Sequence, residues 1–478
     1  MLNFLREKFK LGGGTSRDYN VVIEKPRLIS TPEEWRITAH YRVGVVNYYL
    51  YVDDLGLSRL RFIEPPSPSS ERVKDIIAGL SKPSNDIEFY YASKALSGYG
   101  SLYPLIIDPH IEEIALETPG RNLSVIHKLV PARWVEVDLV IDNATADSLV
   151  VQLARKAGRI ISIAVPYAEG QTTEGFRVSV TFSREVSRFG SSFVLRKYPE
   201  KPNTIADLIA SRVLSPLMAA YLWILVEAQL FLLTIGSMGA GKTTMLQALA
   251  GLIPPYYRVI TIEDTPELRL LNPHWDSLIT RPSLPGEALV EVNLEDLLKF
   301  ALRRRAEYVI VGEVRGREAR LLAQAAALGH GVMTTFHADS AEGAILRLQM
   351  EPISLPQLFL RLLSAIVHIR KIPVYGGKVR RRVYSISEVN EDELITVFKW
   401  NPLEDKFTPS TASELVKASV RLEEAWSKLG VPHNELIREL ENRSILLEKL
   451  AGLDPEEFYK AITRFYISEY GEAVKLRT

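Results

Sequence analysis

The stretch 236-GSMGAGKTTMLQAL-249 constrains this chain more than any other. It completes the pattern G-x-x-x-x-G-K-[ST] with Gly236, Gly241, Lys242 and Thr243, between an apolar run, Leu230 to Ile235, and a helix-forming segment. A strand that turns through glycines into a helix N-terminus aims backbone N–H groups at one point, which suits phosphate oxygens. In such a turn Ser237, Met238, Gly239 and Ala240 form the loop, Lys242 reaches the β- and γ-phosphates, and Thr243 and Thr244 open the helix. The Thr243 hydroxyl is then placed to bind Mg²⁺. The ligands expected are ATP and Mg²⁺.

The surroundings fit that turn. Leu230 to Ile235, Val259 to Ile262, Tyr308 to Val311 and Val332 to Phe336 are continuous apolar runs separated by helical stretches. Strands buried on both faces and joined by helical crossovers predict an α/β fold with a mainly parallel sheet, here over residues 212–408. At 478 residues the chain exceeds the size of a single core, so further domains are expected. Residues 21–198 mix strand-like and helical segments into an α+β domain of two subregions, with a break near 100–110. Pro199 and Pro202 mark a linker over 199–211. Residues 409–478 read as helices only, with Asp454-Pro455-Glu456-Glu457 as a start signal.

Composition narrows the function. Lys plus Arg and Asp plus Glu are 58 each, so there is no basic excess of the kind that marks general nucleic-acid binding. No cysteine is present, which excludes disulfides and thiolate metal sites. Residues 1–20 are expected to be a tail; Leu2, Phe4, Leu5 and Phe9 among basic residues leave a short amphipathic helix as the alternative. They lack a signal-peptide core, so a cytoplasmic location is expected. Residues 216–235 are the most apolar stretch, but Glu227 and Gln229 lie within it and it runs straight into the phosphate loop. A buried helix followed by the first core strand is the better reading.

Ligands of open α/β sheets lie at the carboxyl ends of strands. Glu263 and Asp264 follow one apolar run, and Glu313 follows another with only Gly312 between. An ATPase needs one carboxylate for the attacking water and another for the Mg²⁺ shell. His337 also follows a strand and could sense the γ-phosphate. His330 lies seven residues earlier, but Gly329 and Gly331 flank it and argue against one helix holding both histidines as a metal pair. His368, inside an apolar run, reads as a core histidine. Arg303, Arg304 and Arg305 end a helical stretch, where cations complement the helix dipole. Arg177, Arg184, Arg188 and Arg196 are denser than a strand region requires. Period-2 alternation puts Arg177, Ser179 and Thr181 on a polar face opposite Val178, Val180 and Phe182, and Arg196 ends the run Phe193 to Leu195.

Assembled, these segments resemble the secretion ATPases of the type II/type IV pilus superfamily, above all the archaeal branch serving pili and archaella. The resemblance spans roughly residues 90–400 and rests on YGSLYPLIIDPHIEEIALETPG, GSMGAGKTT, ITIEDTPEL, YVIVGEVRGREA and GHGVMTTFHADSAEGAILRL. The resemblance implies a RecA-like ATPase domain in which Glu263 carries the catalytic carboxylate, Glu313 is the Walker B acid, and His330 and His337 form the histidine box. It also implies a homo-hexamer whose N-terminal domains close on ATP, with Arg177 and Arg196 acting at the nucleotide. The expected partner is a polytopic membrane platform protein, with peripheral membrane contact and no stable nucleic acid. The chain departs from the family at Arg305-Ala306-Glu307, where Arg-Pro-Glu or Pro-Asp is usual, and without cysteine it lacks the zinc site of some relatives. A nucleic-acid motor and a nucleotide-dependent scaffold are the alternative readings.

Overall fold

The computed structural model describes residues 22–23, 36–53, 55–130, 134–198, 201–281, 290–374, 378–391 and 393–475. The expected tail over 1–20 lies outside them. The chain forms two compact units, Met1–Tyr198 and Pro199–Thr478.

The first unit contains β1 (Val22–Ile23), β2 (Arg36–Val43), β3 (Val46–Val52), β4 (Ser58–Ile63), α1 (Ser70–Ala78), α2 (Asp86–Ser97), α3 (Tyr103–Ile107), β5 (Ile111–Leu116), β6 (Asn122–His127), β7 (Trp134–Val140), α4 (Asn143–Lys156), β8 (Tyr167–Gln171), β9 (Arg177–Thr181) and β10 (Ser192–Arg196). One ten-stranded sheet holds them in the order β1-β2-β3-β4-β7-β6-β5-β10-β9-β8. The sheet therefore runs across the break expected near 100–110. Two strand groups are nevertheless recognisable, because β4 and β7 join in parallel through only Arg59 with Glu136 and Leu60 with Val137. One apolar cluster, from Tyr41 and Tyr48 to Val180 and Phe193, lies beneath both groups. In β9 and β10 buried residues alternate with more exposed ones, as the pleat requires.

The second unit begins with α5 (Ile205–Ala210) and α6 (Pro216–Glu227), followed by β11 (Phe231–Ile235), α7 (Lys242–Ala250), β12 (Val259–Glu263), β13 (Trp275–Ile279), α8 (Leu294–Ala301), β14 (Tyr308–Val311), α9 (Glu318–Ala327), β15 (Gly331–Phe336), α10 (Ala341–Gln349), α11 (Gln357–Leu360), β16 (Leu363–Val374), β17 (Lys378–Asn390), β18 (Glu393–Asn401) and β19 (Lys406–Thr408). Helices α12 (Ala412–Ala418), α13 (Arg421–Leu429), α14 (Leu436–Lys449) and α15 (Pro455–Lys475) complete it. The sheet order is β13-β12-β14-β15-β11-β16-β17-β18-β19. From β13 to β16 every pairing is parallel, and from β16 onward the strands form an antiparallel meander. Strands β11, β12, β14 and β15 are buried along their whole length, which is why they read as unbroken apolar runs. This is a RecA-like α/β architecture. Among the described residues no helix is long and apolar enough to cross a membrane.

The C-terminal helices share the core of this unit. Helix α6 is buried from Leu217 to Glu227, in a core cluster that takes in residues of the sheet and of α12 to α15. Arg443 stacks on Trp223 and Phe465, 4.8 and 5.0 Å from their ring centroids, and its guanidinium meets Glu227 at 2.6 Å and Glu439 at 2.7 Å. The Trp223 indole donates to the Tyr466 hydroxyl at 2.7 Å, which donates to the Leu252 carbonyl at 2.9 Å, just past α7. Breaking this buried network at Arg443 would strand the charge of Glu227.

Candidate nucleotide site

The turn between β11 and α7 has the shape its glycines predict. Gly239 and Gly241 adopt φ of 72° and 104°, in the left-handed region that side chains resist. At Gly236 a Cβ would lie 2.4 Å from the Ile369 carbonyl oxygen, so no larger residue fits between the loop and β16. Ser237, Met238 and Gly239 are exposed, and the amides that open α7 have no intrahelical acceptor. Lys242 is buried; its ammonium donates to the Ser237 carbonyl at 3.3 Å and lies 3.2 and 3.3 Å from the two ring nitrogens of His337. Burial lowers its pKa, partly offset by Glu313.

Three neighbouring strands bring the other groups to the same end of the sheet. Glu263 ends β12, Glu313 lies two residues past β14, and His337 follows β15 directly. Glu263 is 3% exposed because the chain after it folds back over the carboxyl. Its Oε1 accepts from the amides of Glu267 at 2.9 Å and Leu268 at 3.0 Å, while Oε2 is buried with no hydrogen-bond partner. Burial outweighs those two bonds and raises its pKa to about 7. Gly312 leaves the room this needs, since a Cβ there would lie 3.1 Å from Glu263 Cγ.

Glu313 is held in the opposite way. Arg315 donates to its Oε2 at 2.8 Å, and His337 Nε2 lies 2.9 Å from its Oε1 without an aligned hydrogen bond. Burial raises the carboxyl pKa, but Arg315, His337 and Lys242 together bring it below the ordinary value. The His337 pKa is lowered by burial and by Lys242, against the pull of Glu313. Such a ring is neutral at pH 7 and lies between the Lys242 ammonium and the Glu313 carboxylate. Arg347 fixes this histidine by donating to its carbonyl and by lying 4.9 Å over the Phe336 ring.

His330 is not brought to the cluster. It precedes β15, whereas His337 follows it, and a strand of six residues spans about 20 Å. Its Nδ1 lies 2.6 Å from the Ala306 carbonyl, a contact that closes the far end of the sheet. His368 is buried in β16 against Tyr384, and burial lowers its pKa to about 4. Past α8, Arg304 pairs with Asp276 at 2.6 Å and Arg305 has φ of 50°. In the first unit Arg177 and Arg196 are directly opposed across β9 and β10 and therefore share one face of the sheet. Arg177 lies 3.6 Å from Glu169, and Arg196 lies 5.8 Å from the Tyr198 ring centroid.

The residues fit a nucleoside triphosphate with Mg²⁺. The glycine turn offers amides to phosphate, Lys242 offers a cation, Thr243 and Glu313 offer oxygen to the metal, and Glu263 has a buried oxygen without a hydrogen-bond partner. Sequence reasoning gave no role to Arg315, Arg347 or Gly312. The first two are signalled only as basic residues two positions past Glu313 and ten past His337.

The sequence profile of the type II/IV secretion system protein family matches residues 170–371. The chain is 33% identical over 391 residues to an uncharacterized protein of Methanocaldococcus jannaschii, covering 80% of this chain and 69% of that one. A second uncharacterized protein of the same organism is 42% identical over 269 residues, covering 54% and 96%. Among solved structures, the VirB11 ATPase of the Brucella suis type IV secretion system is 26% identical, covers 62% of this chain and 95% of that one, and has a TM-score of 0.31.

Proposed function

The chain belongs to the type II/IV secretion system protein family, and from that membership we propose that it is a Mg²⁺-dependent ATPase that powers a pilus-like or archaellum filament, or type II-like secretion. The observation that carries the ATPase reading is the pair of unlike carboxyls at adjacent strand ends, beside a complete phosphate loop. ATP supplies the phosphoryl group that is transferred to water. Glu263, with a pKa of about 7 and a free Oε2, is the base that takes the proton of that water. Glu313 stays ionised and holds the metal shell with Thr243. Lys242 leaves the Ser237 carbonyl for the phosphates, and His337 couples that move to Glu313 through its two ring nitrogens.

The reading extends to the assembly. The chain works as a homo-hexamer at the cytoplasmic face of the membrane, docked on a polytopic platform protein. Closure of the first unit on the second brings Arg177 and Arg196 to the nucleotide. Guanidinium groups suit that role, because they are always charged and grip phosphate oxygens with two donors.

Two variants test the reading. Lys242→Ala is expected to abolish ATP binding, and unchanged affinity would remove the nucleotide assignment. Arg196→Ala is expected to bind ATP nearly normally and to lose turnover by roughly 10³-fold, as an arginine finger does. If that variant melts early but keeps its turnover per folded molecule, Arg196 serves the sheet edge and the closure proposal fails.

A further inference from the structure

Strand β11 carries the phosphate loop between two parallel neighbours. The β15 side brings His337, with Glu313 one strand beyond. On the other side β16 packs against the loop so closely that only glycine fits at position 236, and β17 pairs with β16. At the start of β17 stand Arg380, Arg381 and Arg382. Strand alternation sends the outer two to one side, where both meet Asp405: Arg380 at 3.5 Å, and Arg382 through Nε at 2.9 Å and Nη2 at 3.0 Å.

Arg381 turns the other way and crosses to the phosphate loop. Its Nε donates to the Gly239 carbonyl at 3.3 Å, and its Cδ lies 3.5 Å from where a Cβ at Gly241 would be. It is exposed and makes no ion pair among the described residues, so its charge is matched only by a neutral carbonyl. An arginine confined to a loop built to receive polyphosphate, with no carboxylate beside it, lacks the partner its chemistry favours.

We propose that Arg381 is a nucleotide-binding residue, which leaves the Gly239 carbonyl to grip the phosphates of bound nucleotide from the flank opposite His337. This rests on the ATP-site reading above. Because Arg381 approaches from the side away from Glu313 and His337, its partner is the diphosphate portion common to ATP and ADP. It therefore sets affinity for both nucleotides rather than distinguishing them.

The test measures binding of Mg·ADP and Mg·ATP to the full chain, beside the melting temperature of the nucleotide-free protein. Arg381→Ala removes both the charge and the contact to Gly239. Arg381→Gln keeps a donor for the Gly239 carbonyl and removes the charge. Both variants are expected to bind each nucleotide about tenfold more weakly, the size of one charge-assisted contact. Full affinity in Arg381→Gln, or affinity within twofold of wild type in both, would show that the guanidinium only staples the loop and would overturn the proposal. Lys242→Ala run alongside separates the two levels. If it loses binding while the Arg381 variants keep theirs, only this inference fails; if it also keeps binding, the nucleotide site fails with it.

Discussion

Glu263 and Glu313 follow neighbouring parallel strands, β12 and β14, yet the molecule treats their carboxyls oppositely. Glu263 is buried under its own following loop, with two amide bonds on one oxygen and nothing on the other, and its pKa rises to about 7. Glu313 faces Arg315, His337 and Lys242, which together hold it ionised. Two like groups at one strand-end surface are shifted in opposite directions by their surroundings, which under the proposed function suits one to take a proton and the other to hold charge. Burial without a cation raises a carboxyl's pKa; burial beside cations leaves it an anion.

The contrast is broken most severely by Glu263→Gln, which keeps the shape and removes the base. It is expected to bind Mg·ATP and to hydrolyse it at least about a hundredfold more slowly, measured as phosphate release per folded molecule. If turnover stays near wild type, Glu313 becomes the candidate base. Glu313→Gln is expected to act differently, raising the Mg²⁺ concentration for half-maximal turnover about tenfold as one charged ligand is lost; a magnesium titration reads this directly.

The same contrast predicts opposite effects of pH on stability. A carboxyl whose folded pKa lies above its unfolded value favours folding while protonated; that contribution is full below about 4.5 and is lost as pH rises through about 7. At pH 8 the buried charge of Glu263 costs on the order of 3 kcal/mol. Glu263→Gln should therefore melt with wild type near pH 5 and above it at pH 8. Glu313 has a lowered folded pKa, so its contribution is present above about 4.5 and is lost as pH falls through the lowered value. Thermal melts of both Gln variants between pH 4 and 8 check the signs.

The two histidines give the smallest effect. His330→Ala should lower stability by about 1 kcal/mol, the worth of its bond to the Ala306 carbonyl, and leave turnover per folded molecule intact. His337→Ala should lower turnover about tenfold, since it uncouples Lys242 from Glu313. Equal loss of turnover in both would place His330 at the chemistry.

The strands that carry this site were legible because they are buried on both faces: Tyr308 to Val311 is observed as expected, and Val259 to Ile262 is extended only by Glu263. The alternation from Arg177 was legible because fully buried residues alternate with half-buried ones along β9. The meander β16-β17-β18 was not read, since Arg380, Arg381 and Arg382 interrupt its apolar pattern. No local pattern could join Arg381 to Gly239, 142 positions away. Seven positions separate His330 from His337 in the sequence, but a strand rather than a helix lies between them, so nearness in number became opposite ends in space. Residues 409–478 read as helices only, and nothing in that pattern places Arg443 in the core, where it stacks on Trp223 and pairs with Glu227.

The division of labour between the two carboxyls is tested most directly by the pH dependence of kcat for ATP hydrolysis from pH 5.5 to 9, in wild type and in Glu263→Gln. Wild type should rise with a single ionisation near 7, as Glu263 gives up its proton, and the residual rate of the variant should lack that step. The same inflection near 7 in both proteins would contradict the account and move the titrating group away from Glu263.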